Sequence, residues 1–271
     1  MRSYSLGDVR IATWNINSVR SRIDRLTDWL KRADIDVIAL QETKCRDDQF
    51  PALELSAMGY EVAHFGLSQW NGVAVLSRVG LDDIVTSFAD DQPRFGEPEA
   101  LEARSIGATC GGVRVWSLYV PNGRELGHAH YDYKLRWLES LRVAAAGWLA
   151  DDANAQVALT GDWNIAPEDG DVWNMAFFAN STHVSEPERA AFRAIVDAGF
   201  ADVVRPHTPG PGVYTYWDYK QLSFPKKRGM RIDFVLASPA LGQRISSAWI
   251  EREERKGKHP SDHAPVVVEL D

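Results

Sequence analysis

A chain of 271 residues, 45% hydrophobic and 25% charged, has ample length for one large domain with a real core. Its formal net charge of −8 excludes a protein that coats nucleic acid through bulk positive charge, while leaving room for a local basic face. Two cysteines, Cys45 and Cys110, are too few for a disulfide framework and match no zinc spacing, which points to a reducing cytosol.

No Pro/Gly/Ser-rich linker divides the chain, so residues 1–271 read as a single domain, with surface loops over 90–100, 206–212 and 219–229. The first nine residues lack the apolar segment of a signal peptide, and no run of about 18 apolar residues occurs. A soluble cytoplasmic protein without a membrane span is expected.

Val9 to Trp14 reads as a short strand ending in Asn15-Ile16-Asn17. Val19, Ile23, Leu26 and Leu30 then form the apolar stripe of an amphipathic helix reaching about Ala33. Asp34-Ile35-Asp36 breaks it, and Val37 to Leu40 is a buried strand ending in Gln41-Glu42-Thr43-Lys44. Strand, helix and strand make a βαβ-like unit with polar groups at both strand ends, which lets Asn15 and Glu42 approach each other. A short helix follows over 49–57. Strands over 60–65 and 73–76 then enclose Asn71-Gly72, a hairpin signal.

Strands over 103–109 and 113–120 flank Cys110-Gly111-Gly112 as a second hairpin, and the latter runs into Tyr119-Val120-Pro121-Asn122-Gly123. Leu135, Leu138, Leu141, Ala145, Trp148 and Leu149 form the longest helical stripe. Val157 to Thr160 with Gly161 reads as a core strand stopping in a tight turn at Asp162 and Asn164. In extended chain these two side chains project the same way, one a base and the other a neutral donor; as turn builders they bond their own backbone instead. After an irregular acidic and aromatic segment over 168–178, a helix runs from about Pro187 to Ala198. Val213 to Asp218 is rich in aromatic and β-branched residues. Strands over 231–236, 245–250 and 265–270 follow, the last preceded by Ser261-Asp262-His263. Many strands and few helices imply a sheet-on-sheet core with helices outside.

The polar groups at strand ends are Asn15, Glu42, Tyr119, Asn122, Asp162, Asn164, Asp233, Asp262 and His263. Each alone also reads as a turn, cap or satisfied polar group; together they point to one site. Hard cations such as Mg²⁺ take oxygen ligands and keep several waters, so Glu42 with Asn15 and a substrate phosphate suffices. Zinc does not fit, since neither cysteine lies near a histidine. Ser261, Asp262 and His263 are no serine-hydrolase triad, because adjacent residues cannot form the relay and no Gly-x-Ser-x-Gly elbow exists. A histidine kept cationic by a carboxylate such as Asp233 suits a phosphoryl oxygen better.

Trp14-Asn15-Ile16-Asn17, Leu40-Gln41-Glu42-Thr43-Lys44, Tyr119 to Gly123, Gly161-Asp162-Trp163-Asn164, Arg231-Ile232-Asp233 and Ser261-Asp262-His263 stand in order along nearly the whole chain. In this they resemble the exodeoxyribonuclease III family of abasic-site endonucleases, within the endonuclease/exonuclease/phosphatase superfamily. The resemblance implies a four-layered α/β sandwich, two mixed β-sheets packed face to face with helices outside. It also implies hydrolysis of the phosphodiester 5′ to abasic sites, with 3′ to 5′ exonuclease and 3′-phosphatase activity on duplex DNA. A monomer using Mg²⁺, with Mn²⁺ as substitute, is expected.

By the same resemblance Glu42 and Asn15 hold the metal with support from Asp262, and Asp162, helped by Asn164, orients and deprotonates water. His263, oriented by Asp233, contacts the scissile phosphate beside Tyr119 and Asn122. Tyr216, Trp217, Met230, Arg231 and Ile232 line the pocket for the base-free sugar, Met230 standing where some relatives carry tryptophan. Trp70, Asn71, Arg94, Arg124, Lys226, Lys227 and Arg228 grip backbone phosphates. Core packing is the other reading of those aromatics, and a solvated surface that of the basic runs, including Arg252, Arg255, Lys256 and Lys258. Two other classes stay in view. A phosphatase for a lipid or nucleotide headgroup lacks the aromatic pocket, and a non-catalytic DNA-binding module lacks part of the set Glu42, Asp162 and His263.

Overall fold

The computed structural model describes residues 9–271, so the reading of the first residues as free of a signal segment lies outside it. In chain order the elements are β1 (Val9–Asn15), α1 (Val19–Ala33), β2 (Val37–Gln41), α2 (Ala52–Ser56), β3 (Glu61–Phe65), β4 (Val73–Ser77), β5 (Asp82–Val85), β6 (Ser105–Cys110) and β7 (Val113–Tyr119). They continue with α3 (Ala129–Asp151), β8 (Val157–Asp162), α4 (Met175–Phe178), α5 (Glu186–Asp197), β9 (Ala201–Asp202), β10 (Asp233–Ala237), α6 (Pro239–Gly242), β11 (Ile245–Ile250) and β12 (Val266–Leu270). Two six-stranded sheets result, ordered β11-β12-β1-β2-β4-β3 and β5-β6-β7-β8-β10-β9. Each is mixed: β1 pairs parallel with β2, and β7 with β8, among otherwise antiparallel neighbours.

Side chains alternate between two faces along each strand, and in the central strands β2, β4, β8 and β10 both faces are buried. Ile11, Val37, Val115, Ala158 and Val235 meet in the core between the sheets. Their neighbours Ala12, Ile38, Trp116, Leu159 and Phe234 turn outward onto helices. On one side Leu26, Trp29 and Leu30 of α1 cover the first sheet; on the other Trp137, Leu138 and Leu141 of α3 and Phe192 and Ile195 of α5 cover the second. The order helix, sheet, sheet, helix is the four-layered sandwich that the motifs imply.

Toward one end of the strands the inward positions become polar. Gln41 donates to Thr13 Oγ1 and to Ser117 Oγ, both at 3.0 Å, and Ser117 donates to Leu40 O at 2.7 Å, so the sheets are stitched together by satisfied polar groups. Two residues further along the same face lie Asn15, Tyr119 and Asp162, with Asp233 opposite Asp162 in register. Gly161 is required there: at φ 144° its position would bring a Cβ to 1.9 Å from Leu118 O.

Some elements differ from expectation. β5 is an exposed edge strand carrying Asp82 and Asp83, without the apolar alternation that announces a strand, and β9 and α6 are too short to leave a periodic trace. Val213 to Asp218 forms no strand; only isolated bridges tie Tyr216 to Met230 and His263. Asn71-Gly72 does lie between paired β3 and β4, but its carbonyls accept from Lys44 N and Thr43 N, so it buttresses the turn after β2. No helix among the described residues is long and apolar enough to cross a membrane.

Candidate active site

Parallel pairing puts the ends of β1 and β2 at one level, Asn15 beside Gln41, and likewise Tyr119 of β7 beside Asp162 of β8. Because β10 runs antiparallel to β8, its first residue, Asp233, lies opposite the last residue of β8. The chain then turns sharply. Asn17, Glu42, Lys44 and Asn164 all have φ between 45° and 54°, left-handed conformations that non-glycine residues hold only when their surroundings enforce them.

Asn15 donates from Nδ2 to Glu42 Oε1 at 2.8 Å and to Asp162 Oδ2 at 2.9 Å, bridging two carboxylates and the two sheets. His263 Nδ1 lies 2.9 Å from Asp233 Oδ2, and its Nε2 lies 3.7 Å from Asp162 Oδ2. Burial alone would push His263 down, but Asp233 and Asp162 overcome it and raise the imidazole to about 10. Burial lifts Asp162 to about 7, aided by repulsion from Asp233 and Glu42 and opposed by His263. Glu42 stays below its ordinary value despite burial, held by Lys44, whose Nζ is 2.8 Å from Oε2, and by Asn15. Burial and Glu42 push Tyr119 well above 10, so its hydroxyl remains a donor at neutral pH.

Asp162 and Asn164 do not share an extended strand. Asn164 N donates to Asp162 Oδ1 at 2.9 Å, so the pair builds the turn and at the same time presents the carboxylate. Asn164 Oδ1 lies 3.2 Å from Asn122 Nδ2 and 3.1 Å from His183 Nε2. Neither His183 nor Asn17 was assigned a role from sequence. Asn17 ties Lys44 to Asp262, accepting from Lys44 Nζ at 2.6 Å and donating to Asp262 Oδ1 at 2.9 Å. Asp262 thus joins the cluster through Asn17.

Glu42, Asp162 and His263 each offer a ligand atom, all within 4.8 Å of one another. The donor set fits a hard divalent cation. Glu42, Asp162 and Asp233 crowd negative charge where Asp162 cannot ionise easily, and a cation relieves that repulsion. With Nδ1 against Asp233, His263 serves better as a cationic donor than as a ligand.

The aromatic set divides. Tyr216 and Met230 line a cavity of about 180 Å³ together with Trp173, Phe177, Phe178 and Arg228, and the Tyr216 ring lies 4.9 Å from that of His263. Trp217 does not line it: 1% exposed, it packs edge-on against Phe224 and holds Asp262 O through its backbone N–H at 2.9 Å. Ile232 lies in the cluster of Ala166, Val172, Val184 and Met230, off the cavity wall. Arg231 is 1% exposed and pairs bidentately with Asp202 at 2.6 and 3.0 Å, so its guanidinium belongs to the core. Trp173, Phe177 and Phe178 come from the irregular aromatic segment over 168–178, whose lack of periodicity gives no sign in the sequence that it lines a cavity.

Trp70, Asn71 and Arg124 line a second cavity of about 490 Å³ with Arg104 and His130. Arg94, Lys226 and Lys227 are exposed, and Arg228 lies over Trp173 at 4.9 Å. Arg255, expected in a solvated run, is buried and donates to Ser261 O at 2.7 Å and Trp217 O at 3.0 Å.

Residues 12–263 match the model of the endonuclease/exonuclease/phosphatase family. The chain belongs to that family. An exodeoxyribonuclease of Bacillus subtilis is 30% identical over 266 residues, 96% of this chain and 98% of that protein. Among solved structures, a Neisseria 3′ phosphatase bound to a product DNA hairpin is 33% identical with a TM-score of 0.89, covering 97% of this chain and 99% of that one. An AP endonuclease of Archaeoglobus fulgidus is 34% identical with the same TM-score of 0.89, over 97% and 99%. An exodeoxyribonuclease III of Haemophilus influenzae is 29% identical over 97% of this chain and 100% of that protein, and family membership together with these relatives makes the chain a hydrolytic nuclease.

Proposed function

We propose that this chain is a divalent-cation-dependent DNA repair nuclease, one domain over residues 1–271. It hydrolyses the phosphodiester 5′ to abasic sites and trims or dephosphorylates 3′ ends of duplex DNA. The observation that carries this reading is the meeting of Glu42, Asp162 and the Asp233-held His263 within 4.8 Å. The relatives' names supply the substrate: a 3′ phosphatase, an AP endonuclease and an exodeoxyribonuclease. Oxygen-rich donors favour Mg²⁺, with Mn²⁺ as substitute. Two free buried cysteines fit a reducing, cytoplasmic compartment, and the chain is proposed to act as a monomer.

Glu42 would hold the ion, with Asn15 beside it orienting the carboxylate and Asp262 in support through Asn17. When bound, the ion supplies charge neutralisation for the phosphate's non-bridging oxygens. Asp162, anchored by Asn15 and by the N–H of Asn164, orients a water and takes its proton. His263 donates from Nε2 to the phosphate while Asp233 fixes the ring. The Tyr119 hydroxyl and the amides of Asn122 and Asn164 add neutral donors for developing charge.

A base-free sugar leaves the duplex at lower cost than a normal nucleotide, and the cavity beside His263 formed by Tyr216, Met230 and Trp173 would receive it. Trp70, Asn71, Arg124, Lys226, Lys227 and Arg228 would meet the flanking backbone, local contacts that a net charge of −8 tolerates. The test offers the wild-type protein a duplex with one abasic site, a duplex with a 3′-phosphate and an inositol phosphate, each with Mg²⁺ or EDTA. Mg²⁺-dependent turnover of the two DNAs alone supports the reading. Phosphate release from the inositol phosphate alone contradicts it.

A further inference from the structure

Lys134 of α3 and Glu188 of α5 are both 0% exposed and meet at 2.5 Å. From the same Nζ, Lys134 donates to the carbonyl of Asn164 at 2.6 Å and to that of Asn122 at 3.3 Å. Glu188 accepts from His183 N at 2.9 Å and from Ser185 N and Oγ at 3.3 and 2.5 Å. One buried ion pair therefore ties together the turn after β7, the turn after β8 and the segment leading into α5.

We propose that the Lys134–Glu188 pair positions the two candidate catalytic amides, Asn122 and Asn164, an assignment that rests on the nuclease reading above. Stability alone is a weak reason for such a pair. Taking two charges out of water carries a desolvation cost that their attraction does not always repay, and well-packed apolar replacements are often neutral or stabilising. What no apolar pair supplies is a donor for two strand-end carbonyls at once. Asparagine tolerates the left-handed region that Asn164 occupies at φ 50°, so its own conformation does not fix the turn and the bond from Lys134 Nζ to its carbonyl does. With its carbonyl pinned, Oδ1 meets Asn122 Nδ2 and His183 Nε2, and Nδ2 donates to Val120 O at 3.0 Å, leaving one amide hydrogen uncommitted. The pair is thus built to hold an orientation that a displacement of about 1 Å would spoil, at a cost reaching 10²-fold in rate.

The test is the double variant Lys134→Met/Glu188→Leu, with kcat and KM measured on whichever DNA substrate the wild type cleaves and the urea midpoint as the measure of folding. The expected result is a urea midpoint lowered but still measurable, because the carbonyls of Asn122 and Asn164 lose their donor, with unchanged KM and a kcat lowered roughly tenfold or more. A folded double variant with wild-type kcat overturns the proposal. Should that variant fail to fold, Glu188→Gln, which keeps the shape but removes the anchoring charge, carries the same test. A several-fold fall in kcat at constant KM supports positioning, and an unchanged kcat overturns it. Wild-type protein inert on all DNA substrates would instead overturn the nuclease reading, so the two failures are distinguishable.

Discussion

Asp233 and Asp162 stand directly opposite each other on antiparallel strands, and His263 lies against both, 2.9 Å from one carboxylate and 3.7 Å from the other. Like charges directly across a strand pair repel, so the imidazolium is what makes the arrangement tolerable. Its folded pKa of about 10 exceeds the ordinary 6.5, so its stabilisation is complete below pH 6.5 and is lost as pH rises through 10. Asp233→Asn removes the nearer charge and should lower the His263 pKa by about 1 to 3 units, read by NMR titration of the ring. An unmoved titration would show that Asp233 does not hold His263 cationic.

Asp162→Asn keeps the shape of the turn but removes the base, and His263→Ala removes the cationic donor. Each should lose about 10³-fold or more in kcat, while binding of duplex DNA changes little. Single-turnover kinetics with saturating enzyme separate the two effects. Near-normal turnover of either variant refutes its role.

The strand-end carboxylates, amides and the histidine were legible in the sequence because apolar alternation stops at them: Val157 to Thr160 can only be buried, and Asp162 follows at once. The two sheets were legible for the same reason. Which way a buried residue faces was not. Arg231 of the Arg231-Ile232-Asp233 motif and Trp217, an expected pocket residue, both turn into the core, and nothing in that motif announces the ion pair with Asp202. Lys134 left a trace that was overlooked, a charged residue on the apolar stripe of α3 one turn before Leu138. His183 left none, since its contacts with Asn164 and Asn122 join three separate loops.

Burial, with help from Lys134, lowers His183 to about 4. A folded pKa below the ordinary 6.5 contributes stability that is present above pH 6.5 and is lost as pH falls through 4. Urea midpoints measured from pH 7 down to pH 4 should fall more steeply for wild type than for His183→Gln. Parallel curves would show that His183 takes up its proton as readily when folded as when unfolded.

Lys226 and Lys227 are exposed beside the loop that carries Met230. If they meet phosphates, neutralising either one should weaken binding on every duplex sequence alike and reduce the slope of log affinity against log salt by about 1. Affinity measured across a series of salt concentrations decides it. A slope equal to wild type places the DNA backbone elsewhere.

Mn²⁺ binding followed by electron paramagnetic resonance, without DNA, tests most directly whether Glu42, with Asn15 beside it and Asp262 in support, holds one divalent ion. Wild-type protein should bind the ion saturably, and Glu42→Ala should weaken that binding by about tenfold or more. Equal affinity in wild type and Glu42→Ala would contradict the site.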